Sequence, residues 1–146
     1  MNAAPSISLG AQPVRILIVD DELDNRELLQ IILGWEGFLT ETAASGEEAL
    51  VSAARQPPDL MLLDLMMPGF DGCEVLIELK RNPALRHVPV VILSALTDRA
   101  TQVRVLDAGA AAFLVKPIER ADLTRQVRSV LCLTAAADAG SVLRVQ

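Results

Sequence analysis

Arg15-Ile16-Leu17-Ile18-Val19-Asp20-Asp21-Glu22 runs four apolar residues straight into three acids. Residues 16–19 are mostly β-branched, and an uninterrupted apolar run of this length suits a strand covered on both faces. Strands of that kind belong to parallel sheets flanked by helices. Polar groups closing them emerge at the carboxyl edge of the sheet, where ligands gather in open α/β folds. The pattern recurs downstream. Leu60-Met61-Leu62-Leu63 is followed by Asp64, the strand predicted over 88–93 by Ser94, and Phe113-Leu114-Val115 by Lys116-Pro117. Residues 38–42 read as a weaker strand.

Helical patterns fill the intervals. Residues 22–35 carry an apolar stripe of Leu28, Leu29, Ile32, Leu33 and Trp35, ending between Gly34 and Gly37. Ser45 with Glu48 three residues on is a capping box that opens a helix to about Arg55. Asp71 caps a helix reaching Lys80 or Arg81. Thr97 is the expected cap of the next, which stops at Gly109, a natural C′ position. The last helix is expected from Ile118 to about Cys132. Five strands alternating with five helices predict an α/β fold with helices on both faces of a parallel sheet, a three-layer sandwich. One domain is expected over residues 14–133. Residues 1–13 read as a flexible leader and 134–146 as an Ala-rich tail, which frays, extends the last helix or begins a linker.

Half of the 146 residues are apolar, enough for a single core, and the net charge is −6. An acidic chain without clustered Lys and Arg is a poor nucleic-acid ligand. Cys73 and Cys132 have no metal-ligand spacing, and His87 is the sole histidine, which argues against zinc sites and His-based triads. Both cysteines read as free thiols on or near helix cores in a reducing compartment. His87 reads as a solvated loop residue. No apolar run approaches ~18 residues, and the first residues lack a signal-peptide pattern. The expectation is a soluble, cytoplasmic protein without a membrane span.

The strand ends place Asp20, Asp21, Asp64, Ser94 and Lys116 on one edge. Converging carboxylates repel one another and lose hydration. A hard divalent cation relieves both costs, and oxygen ligands suit Mg²⁺. Lys116, one of only two lysines beside Lys80, is a point charge for Asp64 or for an added phosphoryl oxygen. Ser94 can donate to another such oxygen. Phosphoryl transfer depends on positioning and charge neutralisation, and Asp64 is the carboxylate placed to act as nucleophile. The blander readings are that Asp20 and Asp21 cap a helix, that Asp64 opens a turn, and that Lys116 is a surface charge. Met66 and Met67 read as packing residues.

Ile16 to Glu22 (ILIVDDE), Leu62 to Gly69 (LLDLMMPG), Val91 to Ala95 (VILSA) and Ala108 to Pro117 (AGAAAFLVKP) resemble the receiver domains of bacterial response regulators. The likeness spans residues 15–133. It implies a flavodoxin-like (βα)5 fold with strand order 2-1-3-4-5 and phosphorylation of Asp64 in a Mg²⁺-dependent reaction. Asp20, Asp21, Asp64 and the backbone carbonyl of Met66 are the implied metal ligands. Ser94 and Phe113 are the implied switch pair, Lys116 the implied phosphate-binding lysine, and Lys116–Pro117 an expected cis peptide. Implied partners are a sensor histidine kinase or phosphotransfer protein and an unknown output partner or domain. A homodimer through the fourth helix, fifth strand and fifth helix is a further expectation. Such a chain is no turnover enzyme, catalysing only its own phosphorylation and dephosphorylation. In the family, hydrolysis of the acyl phosphate depends on positions two beyond the acceptor and two beyond the switch hydroxyl, here Met66 and Leu96. Residues 24–29 and 82–89 are also similar to receivers that precede cyclic-dinucleotide enzymes.

The chain departs from the family pattern at Ala111 and Ala112, which replace common acids, and at Phe113, which lacks a Tyr hydroxyl. A flavodoxin would share the fold, but Asp20 and Asp21 would repel its phosphate. A haloacid-dehalogenase-type phosphatase needs a second acid where Met66 stands. A degenerate receiver, acting by binding alone, is opposed by the complete residue set.

Overall fold

The computed structural model describes residues 13–143. Strands and helices alternate as β1 (Arg15–Val19), α1 (Leu23–Trp35), β2 (Leu39–Ala43), α2 (Gly46–Arg55), β3 (Leu60–Asp64), α3 (Gly72–Arg81), β4 (Val90–Ser94), α4 (Arg99–Asp107), β5 (Ala112–Val115) and α5 (Arg120–Leu143). All strand pairs are parallel, and the order is β2-β1-β3-β4-β5, as expected. The chain order reverses beside β1 and β3. Those strands therefore bring Asp20 and Asp64 together at the switch point.

Period-two alternation divides each apolar run between two cores. Leu17, Val19, Met61, Leu63 and Ile92 pack with Ala49, Ala53, Val75, Leu76, Leu79 and Val105, from α2, α3 and α4. Ile16, Ile18, Leu60, Leu62, Val91 and Leu93 pack with Leu29, Ile32, Leu33, Leu123, Val127 and Val130, from α1 and α5. Each fully buried Leu or Ile contributes ~1.5–3 kcal/mol. Together they fix the register, because a one-residue slip would turn every strand inside out.

Several boundaries differ from expectation. Asp98, not Thr97, caps α4: its Oδ2 accepts from the Thr101 N–H at 2.9 Å and from the Thr101 hydroxyl at 2.7 Å. Two cap-competent residues stood side by side, and the carboxylate takes the position. β4 begins at Val90 and not Val88, because the Val88 N–H closes a turn on Leu85 O and Pro89 has no N–H to give. α5 begins at Arg120 and runs through Leu143, so the first ten residues of the expected tail continue the last helix. The leader, Pro13 apart, and residues 144–146 lie outside the described residues. The Ser45 hydroxyl accepts from the Glu48 N–H, but Glu48 Oε1 reaches back to the Ala44 N–H; the reciprocal capping box is at Asp71 and Glu74 instead. α4 closes at Gly109, whose φ of 112° admits a Schellman turn with Ala110 N–H on Val105 O.

The apolar stripe of α1 is narrower than its composition suggests. Leu29, Ile32 and Leu33 are buried, whereas Leu28 and Trp35 stand in solvent with Ile31. Arg120 stacks over the Trp35 ring at 4.8 Å, and Arg128 over Phe38 at 5.3 Å. Both guanidinium groups bond Glu36, Arg128 first and Arg120 second, which holds its carboxyl below the usual range. This clamp ties the start of α5 to the end of α1. Both cysteines are free thiols on helices, as expected; Cys73 is buried on α3, whereas Cys132 on α5 is exposed and lies outside the core. Met67 packs in the core while Met66 is exposed, so only one of that pair is a packing residue. Lys80 donates to Arg86 O and Val88 O across the α3–β4 connection, and burial pulls its ammonium below its ordinary value. No helix among the described residues is long and apolar enough to cross a membrane.

Candidate functional site

Each strand of the central three delivers one polar group to the carboxyl edge. β1 ends ahead of Asp20, β3 ends in Asp64 and β4 in Ser94, and all of these are buried. Asp21, next after Asp20, is exposed. One carboxylate oxygen from each of Asp20, Asp21 and Asp64 lies within 4.8 Å of the others. Lys116 follows β5 on a cis Lys116–Pro117 peptide, as expected. Its Nζ lies 3.3 Å from Asp20 Oδ2 and 3.3 Å from Asp64 Oδ1.

The electrostatics follow from that crowding. Burial pushes the Asp64 carboxyl from its ordinary 3.8 up to about 6; Lys116 opposes the rise and the Asp20 charge adds to it. Burial also works against the Lys116 charge, but Asp64 and Asp20 together hold the ammonium above its ordinary value. A single ammonium thus pairs with two carboxylates, while a third, Asp21, stands beside them. Asp20 and Asp64 are buried and Asp21 is exposed, a donor set that fits a hard divalent cation keeping part of its water shell. The residues present therefore fit Mg²⁺.

The remaining predicted residues take different positions. Met66 lies beside Asp64, and its backbone N–H donates to Asp64 Oδ1 at 3.3 Å. Ser94 is fully buried, and its Oγ accepts from the Leu96 N–H at 3.0 Å, which leaves its O–H to donate. Phe113 stands apart from the acids, on β5 opposite Ile92, half-buried against the α2–α3–α4 core.

Two further residues belong to the site. Asn25 Nδ2 donates to Asp20 Oδ2 at 3.3 Å and to Glu22 Oε1 at 2.8 Å. Arg26 Nη1 donates to the backbone carbonyl of Asp20 at 2.8 Å. Asp20 does not cap α1, whose N-cap is Glu22 without a side-chain cap bond; its Oδ1 instead accepts from the Glu22 N–H in the turn before the helix. The available signal was spacing: Asn25 and Arg26 lie one helical turn beyond Glu22, on the end of α1 that faces the acids.

The model of the response regulator receiver domain matches residues 16–128. The response regulator PleD of Caulobacter vibrioides is 47% identical over 116 residues, covering 80% of this chain and 26% of PleD. The DNA-binding response regulator MtrA of Mycobacterium leprae is 40% identical over 117 residues, covering 80% of this chain and 51% of MtrA. Among solved structures, the chemotaxis protein CheY4 of Vibrio cholerae superposes with a TM-score of 0.78 at 28% identity, covering 82% of this chain and 99% of CheY4. The chain thus spans about a quarter to a half of the length of the curated relatives named, and the whole length of a single-domain structural one. With this match over the entire sheet and its polar edge, the chain belongs to the response regulator receiver domain family of two-component signalling.

Proposed function

We propose that Asp64 is the phosphoacceptor, and that the chain takes a phosphoryl group from a sensor histidine kinase or phosphotransfer protein in a Mg²⁺-dependent reaction. The observation that carries this is Lys116, whose ammonium sits 3.3 Å from both the Asp20 and Asp64 carboxylates. One oxygen of Asp64 is held by Lys116 and the Met66 N–H, which leaves the other to attack phosphorus. The new O–P bond replaces the N–P bond of the donor phosphohistidine, and the electron pair stays on the imidazole nitrogen. When bound by Asp20, Asp21, Asp64 and the Met66 carbonyl, Mg²⁺ supplies the positive charge that lets carboxylate and phosphoryl oxygens approach. Lys116 then exchanges a carboxylate for a phosphoryl oxygen, and Ser94 donates its O–H to another. The chain turns over no external substrate beyond its own phosphorylation and dephosphorylation.

The output runs through the Ser94–Phe113 pair to α4 and β5. α4 buries only Val105, while Leu96, Val103, Leu106 and Val115 are exposed along this side. An element held by one core residue is easily biased by a new charge. Its surface is the proposed contact for an output partner or domain, or for a second copy through α4, β5 and α5. Beryllofluoride, a phosphoryl mimic, tests both parts of the reading when added with Mg²⁺. Amide exchange is expected to slow around Asp64 and to change across residues 97–118. No change at Asp64 removes the acceptor, and change confined to Asp64 removes the switch.

The lifetime of the acyl phosphate depends on what surrounds the phosphorus. Met66 and Leu96 are 57% and 37% exposed, so neither is withdrawn into the core. An apolar side chain cannot hold the attacking water in line. A variant carrying Met66→Asn and Leu96→Glu together is expected to lose its phosphoryl group roughly tenfold faster, about 1.4 kcal/mol of barrier. Single-turnover decay in Mg²⁺ decides it. Equal decay constants for parent and variant refute the idea.

A further inference from the structure

We propose that Asn25 is a positioning residue for the cation site: its side-chain amide fixes the orientation of the Asp20 carboxylate and limits how much of Lys116 that carboxylate takes up. The inference rests on the reading of the acid cluster as a Mg²⁺ site. Asp20 is only 1% exposed, so protein groups and not bulk water set its rotation. The Glu22 N–H holds Oδ1 at 2.9 Å, and the Asn25 amide holds Oδ2 at 3.3 Å. Lys116 Nζ competes for that same Oδ2 at 3.3 Å. The second proton of the Asn25 amide goes to Glu22 Oε1 at 2.8 Å, which pins the side chain in place. A neutral donor on Oδ2 orients the carboxylate without consuming its charge, so the anion stays available to a cation. Without that donor, Asp20 turns toward Lys116, and the ammonium moves off Asp64. Spending the Asp20 charge on the ammonium opposes cation binding at that carboxylate.

Groups that hydrogen-bond a metal-ligating side chain commonly change metal affinity 10–100-fold when removed. Asn25 is half-buried near the start of α1, where losing one polar contact costs the fold little. Calorimetric titration of the full chain with Mg²⁺ is the test, on the parent, Asn25→Ala and Asn25→Leu. Leu keeps the size of Asn without its donor, and Ala removes both. The expected result is about tenfold weaker Mg²⁺ binding in both variants, with unfolding midpoints in EDTA close to the parent. Weakening in Leu alone assigns the effect to bulk and overturns the proposal. A loss of metal-free stability that parallels the loss of affinity makes Asn25 a structural residue, which also overturns it. Unchanged binding in both variants, with a parent that binds, removes the role of Asn25 and leaves the cation site standing. A parent without saturable Mg²⁺ binding removes the site itself, and this inference with it.

Discussion

Asp64→Asn is expected to abolish labelling by acetyl phosphate in Mg²⁺, and in EDTA at pH 7.5 to make the fold more stable. The first effect follows from chemistry, because an amide oxygen does not form a stable acyl phosphate under these conditions. The second follows from burial. In the folded, metal-free chain the Asp64 carboxyl stands at about 6 against an ordinary 3.8, chiefly because it is desolvated, with Lys116 opposing and Asp20 reinforcing. The folded state therefore binds this proton more tightly than the unfolded chain does. Stability is fully present below pH ~4 and is lost as pH rises through about 6. The gap corresponds to roughly 3 kcal/mol at most. That net shift already includes the Lys116 ion pair, and solvent screening at the open edge of the sheet reduces it, so the expected gain is on the order of 2 kcal/mol. Urea unfolding in EDTA at pH 4 and pH 7.5 checks the sign: the gain should vanish at the lower pH. Stoichiometric labelling of the variant would place the nucleophile elsewhere, and equal stability changes at both pH values would mean that Asp64 carries no buried charge.

Much of this site was legible because strand ends are legible. Asp20, Asp64, Ser94 and Lys116 each follow a short apolar run, and a parallel sheet must deliver all such ends to one edge. What escaped the sequence depends on side-chain direction and on partners distant in the chain. Leu28 and Trp35 have the composition of core residues, yet the helix turns them outward, and only the arginine stacked on Trp35 from α5 shows what covers it. Glu36 meets Arg120 and Arg128 across 84 and 92 residues of chain, a pairing that no local pattern encodes. Asn25 looked like any polar residue in a helical first turn. Its contact with Asp20 depends on a buried carboxylate rotated toward it, which periodicity does not reveal. The α4 cap was missed for a different reason: Thr97 and Asp98 both satisfy the cap rule, and backbone geometry chose between them.

Gly72→Ala is expected to be strongly destabilising, and Gly34→Ala supplies its control. On propensity alone both should stabilise, since alanine in a helix is favoured over glycine by about 0.5–1 kcal/mol. Gly34 lies in α1 with nothing within 4 Å of where a Cβ would stand, so it should behave that way. Gly72 opens α3, and there a Cβ would meet the Asp64 carbonyl oxygen at 2.5 Å and the Leu65 Cα at 2.8 Å. Both are backbone atoms at the end of β3, so no rotamer change relieves the clash. The Gly72 N–H already bonds Leu65 O at 3.0 Å, and Leu65 N–H bonds Leu93 O at 2.9 Å, which leaves the strand end little room to retreat. Overpacking of this kind costs ~1–3 kcal/mol, occasionally more. Against rigid backbone the upper end is expected, a fall in melting temperature on the order of 10 °C. Any relaxation must move Asp64, so phosphorylation by acetyl phosphate should slow at temperatures where the variant is still folded. Thermal unfolding of both variants beside the parent separates the two causes. A gain at Gly34 with a loss at Gly72 identifies the approach of α3 to Asp64 as what demands glycine, whereas equal gains would mean that the helix start has slack and that the acceptor is not held from that side.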